Sequence, residues 1–408
     1  MSAHDTDRES ARPTEQSAEP GTAGGAGTPL EDRFTSRLRS AAVAARVGMW
    51  LGICFGIAFL TGLISHYAQL PDPSVPFPTG PVWGYRVSQA VHVAAGTAAV
   101  PLLLVKLWSV YPKLFERPPR IPRALVMTAL LRGSIGVLVA AAIFQLASGL
   151  ANVTQWYPWD FSFRRTHYAV AWVAIGALLL HVAVKLPVIR GALGSPVDDT
   201  GLDRPNATAP GPVSRRTLLR GTWGAAAGAV LLTAGASVPL LRKVSIFAVR
   251  TGEGPQGVPI NRTASAAGVT AEAVGDGYRL EVVRGERSIT LTRAELAALE
   301  QRTRTLPIAC VEGWSASGTW TGVPVRTLLD LVQAPRGAGV RVESLQTRGA
   351  SSSSVLPGNF ADHPDTLLAL GLNGEPLDID HGFPARIIAP NRPGVLQTKW
   401  VTRMEVLA

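Results

Sequence analysis

The sequence predicts a multi-domain protein in which an all-α transmembrane bundle of about five helices is followed by an α+β domain. Apolar residues are concentrated between about positions 47 and 241 of the 408-residue chain, as membrane-spanning helices require. After about position 245, short alternating runs are separated by Pro and Gly, which is typical of a soluble domain with several short strands. A chain of this length can hold two or three domains, each with its own core.

The amino-terminal segment is rich in Gly, Ala, Ser, Thr, Pro and charge, with almost no large apolar side chain. Such a composition cannot bury enough apolar surface to fold, so residues 1–32 are predicted to be a disordered cytoplasmic tail. No apolar segment follows Met1, and we therefore expect no cleavable signal peptide there.

Several apolar segments are close to the ~20 residues that a helix needs to cross a bilayer. They lie at positions 47–65, 87–110, 133–151, 167–186 and 218–241. The first four predict a four-helix membrane domain at 33–195. The fifth belongs to a linker at 196–244 that leads into a soluble domain at 245–408.

The basic residues flanking these segments predict their orientation. On one side lie only Arg86, Arg164 and Arg165. The fifteen on the other side are Arg33, Arg37, Arg39, Arg46, Lys113, Arg117, Arg120, Arg123, Arg132, Lys185, Arg190, Arg204, Arg215, Arg216 and Arg220. This bias places the amino terminus in the cytoplasm and, after five crossings of the plasma membrane, the residues beyond Arg242 outside. The net charge of +10 is thus a topology signal, and no nucleic-acid partner is expected.

The sequence SRRTLLR at 214–220 precedes an Ala/Gly-rich apolar run. It resembles a twin-arginine export signal that is used internally and kept as an anchor. That pathway moves folded domains, so the motif suggests a cofactor inserted before export. The alternative is a pair of ordinary arginines at the cytoplasmic end of the fifth helix.

The start of the soluble domain shows recognisable local elements. Alternation at 278–283 and 288–291, joined at 284–286, predicts a β-hairpin. Thr292 is a candidate cap for a short helix at 292–303, with Leu296 and Leu299 on one face.

Four histidines lie in or at the ends of the apolar segments: His66, His92, His167 and His181. Neutral imidazole is the usual axial ligand of haem iron, and an ionisable residue in a membrane span indicates function. His167 and His181 are fourteen residues apart, which puts them within about 40° of one helix face and about 21 Å apart along it. His92 lies at a depth similar to that of His167, so this pair is predicted to ligate an outer haem b. The alternative is that these are interfacial or hydrogen-bonded histidines.

This arrangement resembles the cytochrome-b-type subunits of formate dehydrogenases and hydrogenases, whose first helix carries an Arg, then His-Trp, then Thr-Gly. The matching residues here are Arg46, Met49-Trp50 and Thr61-Gly62, so Met49 stands where the resemblance implies a ligand. Either His181 pairs with Met49 at an inner haem, or the inner site is empty. His66 is an alternative ligand or part of a quinol pocket, and Arg164 and Arg165 either pair with haem propionates or are solvated.

Each of the two cysteines must be interpreted alone, because Cys54 in the first helix and Cys310 in the soluble domain cannot plausibly reach each other. Cys54 is expected to contribute only packing. Cys310 begins CVEGWS at 310–315, and WTGVPV follows at 320–325. These segments resemble the molybdenum-binding segment of the sulfite oxidase family, and the resemblance implies that the Cys310 thiolate ligates molybdenum, as a soft sulfur donor can.

The carboxy-terminal sequence extends that resemblance through HPDTLLA at 363–369, LNGEPL at 372–377 and HGFPAR at 381–386. It implies that His381 and Arg386 hold the molybdopterin and its phosphate. Lys399 closes over the same group, together with Gln397 and Thr398. Asn261 and Ser344 are further candidate pterin contacts. A phosphate is bound well by Arg, Lys and free N–H groups, so the chemistry is consistent.

These resemblances imply a membrane oxidoreductase that passes electrons between the quinone pool, haem b and an extracytoplasmic molybdopterin centre. No sandwich-like dimerisation domain follows, so the plan resembles the family's twin-arginine-exported reductases more than its sulfite oxidases. Oxygen-atom transfer is expected to be the reduction of a small S- or N-oxide. The alternatives are sulfite-type oxidation with reversed flow, a non-catalytic haem electron-transfer or sensing protein, and a membrane-anchored binding module.

Overall fold

The computed structural model describes residues 34–115, 121–249, 254–349 and 352–407. The predicted tail at 1–32 lies outside these residues. Within the described ranges, four helices are long and apolar enough to cross a membrane. They are α1 (Ala41–Ala68), α2 (Gly84–Val110), α3 (Pro122–Val153) and α4 (Phe163–Gly194).

The four long helices form a bundle in which α1 packs on α2 and α4, and α3 packs on α4. α1 begins where the Ser40 hydroxyl accepts a hydrogen bond from the Val43 amide, a side-chain cap. At the same end, Arg46 donates hydrogen bonds to the carbonyls of Ala192 (2.9 Å) and Ser195 (2.7 Å). Because a cation is favourable at a helix carboxyl end, Arg46 fixes α1 against the end of α4.

The predicted fifth span is shorter than expected. The helix α5 runs from Arg215 to Thr233, and it is not among the four that could cross a membrane by length and composition. Beyond Thr233 the chain turns, because the Ser245 hydroxyl takes the Gly235 amide and Pro239 has no amide to donate. The prediction of a helix over 218–241 is therefore wrong at its carboxyl end.

α5 nevertheless connects the two ends of the bundle. At its start, Arg215 is buried in an ion pair with Asp203 and donates to the Arg37 carbonyl near the beginning of α1. Just beyond its end, the Ser237 hydroxyl donates to the Gly313 carbonyl of the soluble domain. The chain thus passes from one end of the bundle to the other for a fifth time.

The soluble domain contains two five-stranded sheets, which confirms the α+β class. The first has the order β2-β1-β10-β5-β6, with β1 and β10 parallel and the other pairs antiparallel. Its strands are β1 (Arg279–Arg284), β2 (Arg287–Thr292), β5 (Val340–Ser344), β6 (Ser353–Leu356) and β10 (Val401–Val406).

The second sheet is antiparallel, with the order β3-β4-β7-β8 and with β9 paired to β7. Its strands are β3 (Arg302–Ala309), β4 (Ser315–Pro324), β7 (Leu367–Leu372), β8 (Glu375–Pro376) and β9 (Arg386–Ile388). The short helices of the domain are α6 (Ala264–Ala267), α7 (Arg293–Ala298), α8 (Val325–Leu331) and α9 (Gly358–Ala361). Leu280, Leu328 and Val401 lie in the largest core, which joins the first sheet to α8.

The local predictions at the start of the domain are confirmed except for one boundary. β1 and β2 form the predicted hairpin, and Gly285 supplies the positive φ of its turn. Thr292 caps α7 in a reciprocal capping box with Glu295. The helix ends at Ala298 rather than at 303, because the chain enters β3 at Arg302.

The soluble domain sits on the end of the bundle where α1 and α3 finish and α2 and α4 begin. The loop after Cys310 makes the contact. The Asn152 side chain of α3 donates to the Val311 carbonyl (2.8 Å), and Gln155 donates to Glu312 (2.6 Å). A Cβ atom at Gly313 would lie 3.0 Å from a methyl of Val93, so this loop packs directly on α2.

Candidate redox sites

His92 and His167 face each other inside the bundle, with ring centroids 6.4 Å apart. Two imidazoles that share one metal ion through bonds of about 2 Å place their centroids roughly 6 to 6.5 Å apart. Nδ1 of His92 lies 2.9 Å from the Ala58 carbonyl, and Nδ1 of His167 lies 3.0 Å from the Ser148 hydroxyl. Because a carbonyl only accepts, Nδ1 of His92 carries the proton and its Nε2 lone pair is free for a ligand.

The space around this pair is a cavity bordered by small residues. A Cβ atom at Gly62 would lie 3.2 Å from Cε1 of His92, and one at Gly149 would lie 3.7 Å from Cε1 of His167. Gly96 borders the same cavity. A flat macrocycle between two histidines needs such small neighbours, so the residues present fit a haem.

The other predicted bundle residues divide between this cavity and the far half of the bundle. His66 lines the cavity and stacks on Tyr168, with ring centroids 3.7 Å apart and planes 5° apart. Arg164 lines it too, whereas His181 does not. Met49, the candidate partner of His181, has an exposed fraction of 40%.

Sequence reasoning missed several polar groups in the bundle. Lys106 lies within α2 and donates to the Ala44 carbonyl (2.7 Å). The Tyr85 hydroxyl is hydrogen-bonded to the side chains of Ser65, Gln69 and Gln89, all four being buried. The available signal was a polar residue inside an apolar segment, which is costly unless it has a role.

Cys310 follows the end of β3 and is buried, with an exposed fraction of 3%. Its amide donates to the Trp314 carbonyl (2.9 Å), and its carbonyl accepts from the Gly313 amide (3.1 Å). Gly313 has φ +83°, which a residue with a side chain adopts only at a cost. This tight turn holds the thiol between the second sheet and the bundle.

A buried guanidinium without a carboxylate lies in the soluble domain. Arg386 donates to the carbonyls of His381 (2.9 Å) and Gln397 (3.3 Å) and lies over the Trp320 ring. Within the described part of the chain its Nε has no hydrogen-bond partner. Burial lowers its pKa to about 9. A buried unpaired donor costs about 1–3 kcal/mol, so the site fits an anionic group.

Lys399, which is half-buried, adds a second cation to this cradle. Its ammonium donates to the carbonyls of Arg262 (2.9 Å) and Asp380 (2.7 Å). Burial and the positive charge of Arg386 lower the pKa of Lys399 to about 7, against smaller opposing effects of Asp380, Cys310 and Glu312.

His381 is held in the neutral form beside these cations. Burial and Arg386 lower its pKa to about 4. Its Nε2 lies 2.7 Å from the Pro255 carbonyl and therefore carries the proton. The next residue, Gly382, has φ +109°, and a Cβ atom there would lie 3.0 Å from Cβ of Lys399 and 3.2 Å from Cβ of Arg386.

The remaining predicted pterin residues surround this cradle. Gln397 is buried, and its Oε1 has no partner within the described residues. The Thr398 hydroxyl is bonded to Ser354 (2.8 Å), and the Ser344 hydroxyl donates to the Lys399 carbonyl (2.7 Å). Asn261 is half-buried and precedes Arg262, whose carbonyl binds Lys399. Sequence reasoning missed Arg392, a second buried guanidinium whose pKa is lowered to about 9 by burial.

Residues 267–408 match the family described as the oxidoreductase molybdopterin binding domain. The carboxy-terminal part of the chain is a molybdopterin-binding oxidoreductase domain. Its matched residues include Cys310, Arg386 and Lys399, and their roles toward the cofactor stay predictions.

Several curated proteins are similar in sequence to parts of this chain. The chain is 34% identical over 135 residues to the protein-methionine-sulfoxide reductase subunit YedZ1 of Azospira oryzae. The aligned region covers 32% of this chain and 48% of that protein. It is 32% identical over 127 residues to the catalytic subunit MsrP of Xanthomonas campestris, covering 27% and 38%. It is 30% identical over 156 residues to mitochondrial sulfite oxidase of Drosophila melanogaster, covering 32% and 27%. The chain thus spans about half or less of the length of these relatives.

Proposed function

We propose that this protein is a membrane-bound molybdenum oxidoreductase that passes electrons from the quinone pool through haem b to an extracytoplasmic molybdopterin centre. The observation that carries the proposal is the 6.4 Å separation of the His92 and His167 rings in a cavity that Val311 also lines. Val311 directly follows Cys310 in the chain. The two redox sites are thereby joined by one residue of backbone and the hydrogen bond from Asn152.

The bundle residues would bind the haem and orient its ligands. Nε2 of His92 and Nε2 of His167 would hold the iron, while Ala58 and Ser148 fix the two rings through Nδ1. Arg164 and His66 line the same cavity and would meet the propionates. When bound, the haem supplies one-electron transfer.

The molybdopterin domain would hold its cofactor through positive charge and sulfur. Cys310 would supply the thiolate, and the cations Arg386 and Lys399 would hold the phosphate with the donors they do not use for carbonyls. Neutral His381, Gln397 and Thr398, with Ser344 and Asn261 behind Lys399, complete the cradle. When bound, the group supplies two-electron oxygen-atom transfer.

We propose that the substrate is a sulfoxide. The names of two relatives narrow this proposal to methionine sulfoxide in proteins. Its reduction takes two electrons and two protons and yields a thioether and water. Sulfite-type oxidation with reversed flow is the second candidate, because a sulfite oxidase is also among the relatives. A non-catalytic haem electron-transfer or sensing protein is the third.

The molybdopterin domain is proposed to lie outside the cytoplasm. It sits at the bundle end that carries Arg86 and Arg164, opposite the end where Arg46 and Arg215 are bound. The bias of basic residues assigns that opposite end to the cytoplasm. In the folded protein, Arg215 is buried in an ion pair with Asp203. The interpretation of SRRTLLR as a twin-arginine export signal stays a prediction.

The test is the metal and haem content of the detergent-purified protein, with sulfoxide-dependent oxidation of the dithionite-reduced haem. We expect about one molybdenum per chain, a b-type haem band, and loss of turnover in Cys310→Ser with the haem spectrum retained. Cys54→Ser makes the same chemical change in α1 and should keep its molybdenum. Turnover in Cys310→Ser would rule out the proposed molybdenum chemistry, and haem without molybdenum would favour the electron-transfer alternative.

A further inference from the structure

The surroundings of His92 recur fourteen residues away, in the other half of the bundle. Fourteen residues after His92 on α2 is Lys106, and fourteen after His167 on α4 is His181. Both helices begin at the soluble domain, so equal steps of about 21 Å bring both residues to the same depth.

The contacts of the two α2 residues with α1 follow the same displacement. His92 binds the Ala58 carbonyl and lies against Gly62. Lys106 binds the Ala44 carbonyl, and its Nζ would lie 3.0 Å from a Cβ atom at Gly48. Ala44 and Gly48 precede Ala58 and Gly62 by fourteen residues each. Lys106 therefore occupies the position in the inner half that His92 occupies in the outer half, and Met49 does not.

The inner half of the bundle has fewer glycines at the matching positions than the outer half. The outer cavity is bordered by Gly62, Gly96 and Gly149. Displaced by fourteen residues along each helix, these positions are Gly48, Val110 and Ile135, so only one glycine is retained. The larger side chains at two of these three positions favour an occupant smaller than a macrocycle, such as a single ring.

The charge of the inner pair selects the kind of ligand. An ammonium has three donors, and the Ala44 carbonyl takes one of those of Lys106. No carboxylate in the described part of the chain forms an ion pair with it. Neither α2 nor α4 contains Asp or Glu, and the charged side chains that follow the pair along the chain, Lys113, Lys185 and Arg190, are all cations. A lysine with spare donors beside an imidazole suits a neutral or anionic oxygen acceptor at this depth.

We propose that Lys106 and His181 bind the head group of a quinone or quinol in the inner half of the bundle. One ring oxygen accepts a hydrogen bond from Lys106, and His181 faces the ring as its second polar partner. This inference rests on the proposed function, because it assigns a binding site to the quinone of that electron path.

The experiment uses the full-length holoprotein in detergent, with a short-chain ubiquinone and a short-chain menaquinone as probes. Binding of the oxidised quinone is measured by equilibrium dialysis, and haem reduction by the matching quinol is followed anaerobically. We expect Lys106→Met to weaken quinone binding at least tenfold, or about 1.4 kcal/mol. Dithionite should still reduce its haem fully, with an unchanged spectrum, and Lys106→Arg should recover part of the affinity.

Lys243→Met is the matched control, because it removes an exposed lysine at the opposite end of the bundle, next to Arg242, which donates to the Ser315 carbonyl of the soluble domain. Its quinone affinity should stay within twofold of the parent protein. His181→Phe should weaken binding as Lys106→Met does, which guards against an effect of misfolding in either variant alone.

Equal quinone affinity in Lys106→Met and the parent protein would overturn the proposal. So would two haems per chain in the parent with one lost in both variants, since the pair would then ligate iron. A parent protein that binds quinone through Lys106 but lacks haem would contradict the proposed function and leave this site supported.

Discussion

At the scale of single residues, the soluble site is defined by cations that have carbonyl partners but, among the residues the structure describes, no carboxylate in an ion pair with them. Arg386 and Lys399 are held by backbone oxygens, so their geometry is fixed before any cofactor binds. Their pKa values, lowered to about 9 and about 7, measure the cost of burying these charges without an anion. A bound phosphate would remove that cost.

The pKa of Lys399 gives a pH-dependent prediction. Because its folded pKa of about 7 is below the model-peptide value of 10.5, the unfolded chain binds more protons between these values. The cofactor-free protein should therefore gain stability as the pH rises from about 7 to about 10, by a few degrees in melting temperature. Thermal unfolding of the parent and of Lys399→Met across this range checks it. The variant should lose that gain, and an equal gain in both proteins would contradict the assignment.

A second residue-scale prediction concerns Gly382. An alanine there needs φ near +109° and places Cβ 3.0 Å from Lys399 and 3.2 Å from Arg386. Gly382→Ala should displace both cations and reduce molybdopterin content at least tenfold. Gly374 also has a positive φ, +90°, but no atom within 4 Å of an added Cβ, so Gly374→Ala is the matched control. The molybdenum content of both variants is measured by elemental analysis. Similar losses of molybdenum in both variants would attribute the effect to backbone strain alone.

At the scale of elements, the loop after Cys310 connects the two proposed redox sites. It is bound to α3 by Asn152 and packs against α2 at Gly313. Its shape depends on the left-handed backbone conformation of Gly313. The EGW sequence alone, without the partner helices, could not reveal that conformation. The closeness of Cys310 to the bundle is therefore a property of the folded chain.

We expect Gly313→Ala to separate this loop from α2. The added Cβ would lie 3.0 Å from Val93 and 3.2 Å from Val153, besides the cost of φ +83°. Reoxidation of reduced haem by a sulfoxide should slow at least tenfold, with molybdenum retained. Gly337→Ala has the same kind of strain at φ +79° with no atom within 4 Å, and it should keep the parent rate. Stopped-flow spectroscopy measures the rate of haem reoxidation in both variants. Equal rates in Gly313→Ala and the parent protein would show that the loop is not part of the electron-transfer path.

At the scale of the whole molecule, the proposed haem ligands and the proposed cofactor cradle lie on separate parts of the chain. His167→Leu should therefore abolish the b-type band and leave about one molybdenum per chain. Phe163 packs its ring on His167, with centroids 4.9 Å apart, and borders the same cavity but has no atom that can ligate iron, so Phe163→Leu tests packing alone and should retain the haem band. Loss of molybdenum together with haem would show that the two sites assemble as one unit.

The sequence alone determined the features that are set locally or by composition. Four apolar helices, the β1–β2 hairpin, the Thr292 cap and the α+β class follow from hydrophobic pattern, turn chemistry and capping, which act between near neighbours. The resemblance around Cys310 indicated the molybdopterin family, and residues 267–408 match that family.

Only the tertiary structure decided how distant segments meet. The end of α5 depends on Ser245 and Pro239, the facing of His92 and His167 depends on helix packing, and the approach of Val311 to the bundle depends on Asn152. Lys106 was hidden in an apolar segment until its contacts with Ala44 and Gly48 showed which position it takes. Periodicity specifies which face a residue occupies, whereas the partner across that face is set by the packing of the whole chain.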